Sequence, residues 1–475
     1  MPWPSLPETL KGDFDMARDQ IPEKIFREYD IRGVVDKELT EKNVELIGRA
    51  FASELIESGA KAICCGRDGR IHSERLQRAF EKGALDAGID VLDVGLCPTP
   101  VLYFAVHNLQ VQGGVEITGS HNPPEFNGIK MCIGKSTIFG QQIKALYQRI
   151  TSNNFLKGHG AYKKIEIIDD YLKYLNENIK VSSSIKGVID CGNGTTAVVA
   201  PMAFKQAGIV TESLFCTVDG TFPNHHPDPT VLENLQDLRN KVLETGADVG
   251  FAFDGDGDRV GVVDEKGQVI YGDRLLVLLA RKLLEKNPGA TVIGEVKCSH
   301  VLYQDIEKHG GKPIMWKTGH SLIKQKMKET GALLAGEMSG HIFFADRFFG
   351  YDDGIYAALR ICEILSQESL PMSELLADLP KTHSTPEIRF DCPDDIKFQL
   401  VDSFKKVITD QNLKVIDIDG IRIDFGFGWG LLRASNTQPV LVMRFEAETE
   451  KGLEEIKNFF QKGLQEAMSQ LEKTA

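Results

Sequence analysis

The sequence predicts an α/β protein, with three successive related α/β domains and a C-terminal α+β domain around a central cleft. Three observations predict it. At 475 residues the chain is too long for one hydrophobic core at the usual ~100–200 residues per domain. Three consecutive stretches alternate short β-branched runs with longer amphipathic runs, the pattern of α/β units. Beyond residue 384 that alternation stops and helices and strands follow in a different order.

The elements follow in chain order. In the first domain (1–166), AICCGRD reads as a strand, SERLQRAFEKGALDAG as a helix, and IDVLDVG and GGVEITGS as strands. The second (167–268) holds a strand in KGVIDCG, a helix in TTAVVAPMAFKQAG, and strands in ADVGFAFDGDGDRVGVVDEKGQVI. The third (269–384) holds ATVIGEV, SHVLYQDIEKHG, KPIMWKTG and ALLAGEMSGHIFFA. The Pro-rich, polar passage LPKTHSTPEIRFDCPDD reads as a linker. After it, the fourth domain (385–475) offers a helix in IKFQLVDSFKKVITDQ, strands in LKVIDIDGIRIDFG and VLVMRFEAE, and a closing amphipathic helix.

A net charge of -13 argues against sequence-independent nucleic-acid binding, which relies on basic patches. It leaves anionic small substrates open, because a local cluster of Arg, Lys and amide groups reverses the field inside a cleft. The nine cysteines are scattered, apart from the adjacent Cys64 and Cys65, with no CxxC and no zinc-like Cys/His spacing. Reduced thiols in the cytosol are the expectation. The first residues lack a basic start and an apolar stretch, and the most apolar run, LLVLLARKLL, is cut by Arg281. The expected location is cytoplasmic, with no membrane partner.

Four loops carry chemistry. ITGSHNPPEFNGIK (117–130) contains two prolines and two glycines, which places Ser120 and His121 on a loop leaving a strand. A Ser hydroxyl needs its charge withdrawn or its proton taken to act as a nucleophile, and His121 and Lys130 are near enough in sequence to do either. Otherwise the segment is an ordinary Ser-Asn-Pro turn.

In the second loop, Asp254, Asp256 and Asp258 alternate with glycines ahead of Arg259, so three carboxylates can converge on one hard cation. The spacing resembles an EF-hand, with Glu265 at the twelfth position, but Arg259 stands where that loop needs Gly and the flanks read as strands. Three carboxylates leave coordination positions for a phosphate oxygen, which suits Mg²⁺ and phosphoryl transfer. In the third loop, Glu337 and Ser339 can accept from and donate to vicinal sugar hydroxyls, and His341 can carry a proton near neutral pH. In the fourth, Arg433, Ser435, Asn436 and Thr437 make a phosphate cradle or a polar hairpin.

Three competing motifs fall away. Gly192, Gly194 and Ala197, with Glu212 beyond, fit a dinucleotide fingerprint, but the match is short and competes with a phosphate-and-metal constellation. The glycines of 128–136 are one residue too far apart for a Walker loop, and there is no GxSxG elbow.

Together, in this order, TGSHNP, DGDGDR and GEMSGH, framed by EYDIRG (28–33) and RASNTQP (433–439), resemble the α-D-phosphohexomutase superfamily and, within it, the bacterial phosphomannomutase/phosphoglucomutase group. The resemblance spans nearly the whole chain; only about the first 24 residues are left unexplained by it. It implies a phosphohexomutase that interconverts hexose 1- and 6-phosphates of mannose, glucose or both, through a phosphoserine at Ser120 and a sugar 1,6-bisphosphate. Asp254, Asp256 and Asp258 would hold Mg²⁺ with the Ser120 phosphate. His121, Lys130 and Arg259 would surround the moving phosphoryl group, with Lys130 and His341 exchanging protons. Glu337 and Ser339 would hold sugar hydroxyls, and Arg433, Ser435, Asn436 and Thr437 the distal phosphate. Tyr29, Arg32, Lys297 and His320 would line the cleft. The alternatives are a mutase for an aminosugar phosphate and a non-catalytic sugar-phosphate sensor. A monomer is expected, with a dimer as the alternative.

Overall fold

A computed structural model describes residues 21–408 and 413–473. The unexplained first residues lie almost wholly outside this range, as does the end of the helix expected in IKFQLVDSFKKVITDQ. That helix is described over Lys397–Ile408. Among the described residues no helix is long and apolar enough to cross a membrane.

The described residues form four sheets. The first contains β1 (Ile31–Val34), β2 (Ala62–Arg67), β3 (Asp90–Leu96), β4 (Gly113–Ile117), β5 (Phe126–Ile133), β6 (Ser136–Thr137) and β7 (Tyr162–Lys164), ordered β1-β5-β4-β2-β3-β7 with β6 on β5. The second contains β8 (Lys186–Asp190), β9 (Val210–Leu214), β10 (Val249–Phe253), β11 (Val260–Asp264) and β12 (Val269–Ile270), ordered β12-β11-β10-β8-β9. The third, β14-β13-β15-β16, is built from β13 (Thr291–Glu295), β14 (Lys312–Trp316), β15 (Leu334–Gly336) and β16 (Ile342–Phe344). The fourth contains β17 (His383–Ser384), β18 (Ile388–Asp391), β19 (Lys414–Ile416), β20 (Ile421–Asp424), β21 (Gly428–Ala434) and β22 (Val440–Ala447), and all its pairings are antiparallel.

The first three sheets share one plan. A parallel core ends in an antiparallel partner to its last strand: β4 with β5, β10 with β11, β15 with β16. Strands such as β10 and β11 are buried along their whole length, which is why VGFAF and VGVVD are apolar at nearly every position rather than alternating.

Three sequence expectations need correction. The passage read as a linker supplies β17 and β18, both paired with β22. The fourth sheet therefore begins before residue 385, and β12 carries the second sheet past 268. The helix expected in TTAVVAPMAFKQAG is interrupted: a 3₁₀ turn over Thr195–Val198 precedes an α-helix over Ala200–Gln206, with Pro201 in its first turn. Of the segment 117–130, only the part before Phe126 is loop, because Lys130 lies on β5.

One apolar core runs through the first three sheets, from Cys64 and Val106 through Ile189 and Phe251 to Leu276 and Ile342. The helix Gly354–Leu365 is buried over its whole length and packs on β10 and β11 as well as on β16. The fourth sheet has a core of its own, from Cys392 to Met468, and touches the third through a small cluster of Val296, Trp429 and Leu431. None of the nine cysteines is paired, and eight are buried.

Phe251 is fully buried on β10 against Phe204, ring centroids 5.6 Å apart. Phe251→Ala should destabilise the protein by about 3–5 kcal/mol, read as a lower urea midpoint at unchanged slope.

Candidate active site

The four motif loops are the connections β4–β5, β10–β11, β15–β16 and β21–β22, and they open onto a cleft of about 420 Å³. Its lining includes Tyr29, Arg32, His121, Arg259, Lys297, His320, Glu337, Ser339, His341, Arg433, Ser435 and Thr437. Asn436 stands beside it, where its amide donates to the Tyr29 hydroxyl at 2.7 Å. Ser120, Lys130, Asp254, Asp256 and Asp258 are buried beneath.

Ser120 has φ +47°, a left-handed conformation uncommon for a residue with a Cβ. A clamp from the first sheet holds it. The buried guanidinium of Arg70 donates to the backbone oxygens of Ser120 (2.9 Å), Asn122 (2.5 Å), Pro123 (2.7 Å) and Phe126 (3.0 Å). Asp68, paired with Arg70, accepts from the Gly119 amide at 2.9 Å. From the second domain, the His226 ring contacts the His121 carbonyl. Sequence reasoning missed this clamp. GRDGR in 66–70 was read only as the end of a strand, and nothing local ties Arg70 to residues fifty positions on.

The Ser120 hydroxyl donates to Asp254 Oδ2 at 2.9 Å and lies 3.1 Å from His121 Nδ1. A Cβ built on Gly255 would sit 2.4 Å from the Ser120 carbonyl oxygen, so the serine and aspartate loops are in backbone contact and only glycine fits between them. Gly194, part of the discarded dinucleotide match, serves the same packing: its Cβ would meet the Gly255 backbone at 2.7 Å.

Asp254, Asp256 and Asp258 are fully buried, and one oxygen of each lies within 4.8 Å of the others. Burial, then Asp256 and Asp258, push the Asp254 carboxyl well above the usual range. Asp256 goes the other way. Burial alone would raise it, but the Lys130 ammonium holds it low, bonding Asp256 Oδ2 at 2.7 Å and Asp258 Oδ2 at 2.5 Å. Thr99 also donates to Asp256 Oδ2, at 2.6 Å. Burial acts to lower Lys130 as well, yet the three aspartates outweigh it and keep it an ammonium. Oδ1 of Asp256 and Oδ1 of Asp258 are buried without a hydrogen-bond partner. Orphaned carboxylate oxygens converging from one turn fit a hard cation.

Across the cleft, Glu337 Oε1 accepts from the Gly319 amide (2.7 Å) and Oε2 from Ser339 (2.9 Å). Arg259 Nε donates to His341 Nε2 at 2.8 Å, tying the aspartate loop to the third-domain loop. Arg433 Nε is held by Asp419 at 3.0 Å, which leaves its two terminal nitrogens for a ligand. Tyr29 donates to the Thr318 carbonyl at 2.8 Å, and Arg32 to Asn122 at 2.5 Å and Asp30 at 2.6 Å. Burial, then Arg259, drives His121 well below its ordinary value; burial, then Lys324, does the same to His320. Both rings are neutral at pH 7. Sequence reasoning also missed Glu387 and Arg389. They line the cleft, and Glu387 bridges Lys297 (3.0 Å) and Arg389 (2.9 Å). Both lie in the passage mistaken for a linker.

The domain models for phosphoglucomutase/phosphomannomutase match in order: α/β/α domain I over 23–157, domain II over 169–267, domain III over 271–383 and the C-terminal domain over 387–462. The chain belongs to the phosphoglucomutase/phosphomannomutase family. It is 50% identical over 452 residues to the phosphomannomutase/phosphoglucomutase of Pseudomonas syringae pv. tomato, covering 95% of this chain and 97% of that one. It is 47% identical over 450 residues to the phosphoglucomutase of Neisseria meningitidis serogroup A, covering 94% and 96%. A crystal structure of a family member from Burkholderia thailandensis superposes with a TM-score of 0.89 at 45% identity, over 94% of this chain and 98% of that one.

Metal binding needs Asp254 deprotonated, and its raised pKa sets proton and metal in competition. Affinity for a divalent cation, measured by calorimetry, should therefore weaken as pH falls, with protons released on binding. Equal affinity with no proton release would contradict this charge arrangement.

Proposed function

We propose that the chain interconverts the 1-phosphates and 6-phosphates of glucose and mannose, moving the phosphoryl group by way of Ser120 and a sugar 1,6-bisphosphate. The observation that carries this reading is the Ser120 hydroxyl, bonded to the first aspartate of the triad beneath a cleft that Arg433, Ser435 and Thr437 also line. Nucleophile, cation site, hydroxyl contacts and distal anion grip are what phosphoryl transfer on a phosphosugar requires.

The three aspartates and an oxygen of phosphorylated Ser120 would hold Mg²⁺, which supplies charge neutralisation at the transferring phosphoryl group. The protein's own residues do the rest. Glu337 and Ser339 hold the sugar O3 and O4, oriented alike in glucose and mannose, which explains tolerance at C2. Arg433, Ser435, Asn436 and Thr437 grip the phosphate that is not reacting. Tyr29, Arg32, Lys297 and His320 complete the wall. Arg259 and His121 flank the phosphoryl group. The free O6 or O1 hydroxyl loses its proton, its oxygen bonds phosphorus, and the P–Oγ bond to Ser120 breaks. His341 lines the cleft and is assigned that proton, which its Nε2 accepts when Arg259, now donating to it, turns to the phosphoryl group. Lys130, whose ammonium lies on Asp256 and Asp258 beneath the cleft, is assigned the return of a proton to Ser120 Oγ. The bisphosphate then turns end for end and returns its other phosphate to Ser120. The same reading divides the chain into domains at 1–166, 167–270, 271–382 and 383–475, which moves β12 and β17 into the sheets they pair with.

With Mg²⁺ and a trace of 1,6-bisphosphate, both sugar pairs should turn over, and Ser120→Ala should lower kcat by at least about a thousandfold. Undiminished turnover by that variant would remove the phosphoserine assignment. Glucosamine 6-phosphate as a far better substrate would favour an aminosugar mutase instead.

A further inference from the structure

The turn after β8 that mimics a dinucleotide fingerprint opens with a cysteine. Cys191 directly follows the last residue of β8, and Cys216 lies two residues beyond the end of β9. These strands are parallel neighbours, with Asp190 opposite Leu214. Both cysteines converge on one carbonyl: the Cys191 amide donates to the Leu214 oxygen at 3.1 Å, and Cys216 Sγ donates to the same oxygen at 3.3 Å. The two thiols are in hydrogen-bonding contact with each other. Paired strands run about 4.8 Å apart, within the Cα separation of about 4.4–6.8 Å that a disulfide spans. Among the described residues, neither cysteine belongs to a cluster spaced to hold a metal.

The pair is asymmetric in the way that thiol oxidation uses. Cys191 is fully buried, whereas Cys216 is the one cysteine of nine that is not buried, and Thr217 beside it is exposed. The hydrogen bond with Cys191 holds the Cys216 thiol below its ordinary value against the effect of burial. Burial, then Cys216, pushes the Cys191 thiol well up. An accessible, more acidic sulfur beside a sheltered one is the arrangement of an attacking and a resolving cysteine.

We propose that Cys191 and Cys216 form an intramolecular disulfide when the protein meets a hydroperoxide, and that this bond slows the enzyme by shifting the supports beneath its serine and aspartate loops. In the first step the Cys216 thiol gives up its proton and its sulfur attacks the peroxide. The O–O bond breaks; one oxygen stays on sulfur as a sulfenic acid, and the other leaves, protonated, as water or an alcohol. The Cys191 sulfur then attacks that of Cys216, the S–O bond breaks, and hydroxide departs as water with the Cys191 proton. The two thiols lose two electrons and the peroxide gains them.

Both turns reach the site. Asn193 clips them together: its amide donates to the Phe215 oxygen at 3.0 Å and its side chain to the Thr217 oxygen at 2.8 Å. Thr195 donates to the Gly255 oxygen of the aspartate loop, from its amide at 3.0 Å and its hydroxyl at 3.1 Å. On the other side, a Cβ built on Gly220 would sit 2.5 Å from the Gly69 oxygen and 2.7 Å from Arg70 Cα. The segment after Cys216 therefore lies directly against the clamp that holds Ser120. The effect on turnover rests on the mutase reading above; the bond itself does not.

The full chain, reduced and then treated with hydrogen peroxide, tests this. After thiol alkylation and trypsin digestion, peptides 187–205 and 206–239, which carry one cysteine each, should appear joined, and dithiothreitol should separate them. The kcat with glucose 1-phosphate should fall at least about tenfold on oxidation and return on reduction. Cys216→Ser should start with the parent's activity and keep it in peroxide. Cys191→Ser should instead accumulate a sulfenic acid on Cys216, trapped by dimedone. Joined peptides from a chain without mutase activity in either state would sink the mutase reading and leave the disulfide standing. Both peptides alkylated after peroxide, Cys216 bonded to a different cysteine, joined peptides at undiminished kcat, or equal inactivation of Cys216→Ser would overturn the proposal.

Discussion

Three carboxylates within a few ångströms of one another, all shielded from water, would drive the second domain apart if nothing answered them. Lys130, from the first domain, answers them with two charge-assisted bonds, and Arg259, from the same turn, adds a second cation nearby. Much of the site depends on this compensation. It pins β5 against the β10–β11 turn, draws the serine loop into backbone contact with Gly255, and sets Ser120 Oγ on Asp254. The cation that compensates these charges is also buried directly beneath the cleft, beside the Ser120 and Asp254 pair.

Why the chemistry gathers at one place follows from strand order. In each of the first three sheets the motif loop leaves the carboxyl end of a parallel strand and returns along an antiparallel one, the region of an open α/β sheet where ligands usually sit. The hairpin makes the loop short and fixes its direction. Three repeats of that geometry, sharing one apolar core, aim three different sets of side chains at a common point, and the β21–β22 hairpin closes the ring from a separate core.

The sequence made some of this legible and hid the rest for physical reasons. DGDGDR declared itself because alternating acids between apolar runs have no cheap structural explanation, and its flanks are the strands β10 and β11. The strand-loop grammar of three domains was visible in periodicity. The Arg70 clamp and Thr99 were not, because each acts on a partner brought near only by tertiary packing and is an ordinary residue in its local context. β18 was missed because Pro386 and Pro393 flank it and its outward face is polar, the signature of an edge strand that reads as loop. Glu387 and Arg389, and with them part of the cleft wall, went with it.

The order of the loops along the chain has a consequence for how the protein is made. Synthesis runs from the first domain to the last, and domains fold largely as units as they emerge. A nascent chain that has completed the third sheet already owns its serine loop, its compensated aspartates and the shared apolar core that stabilises them. It still lacks Arg433 and its neighbours. Such a chain carries three of the four loops that open onto the cleft, so the last segment to leave the ribosome is the one that supplies the remaining wall.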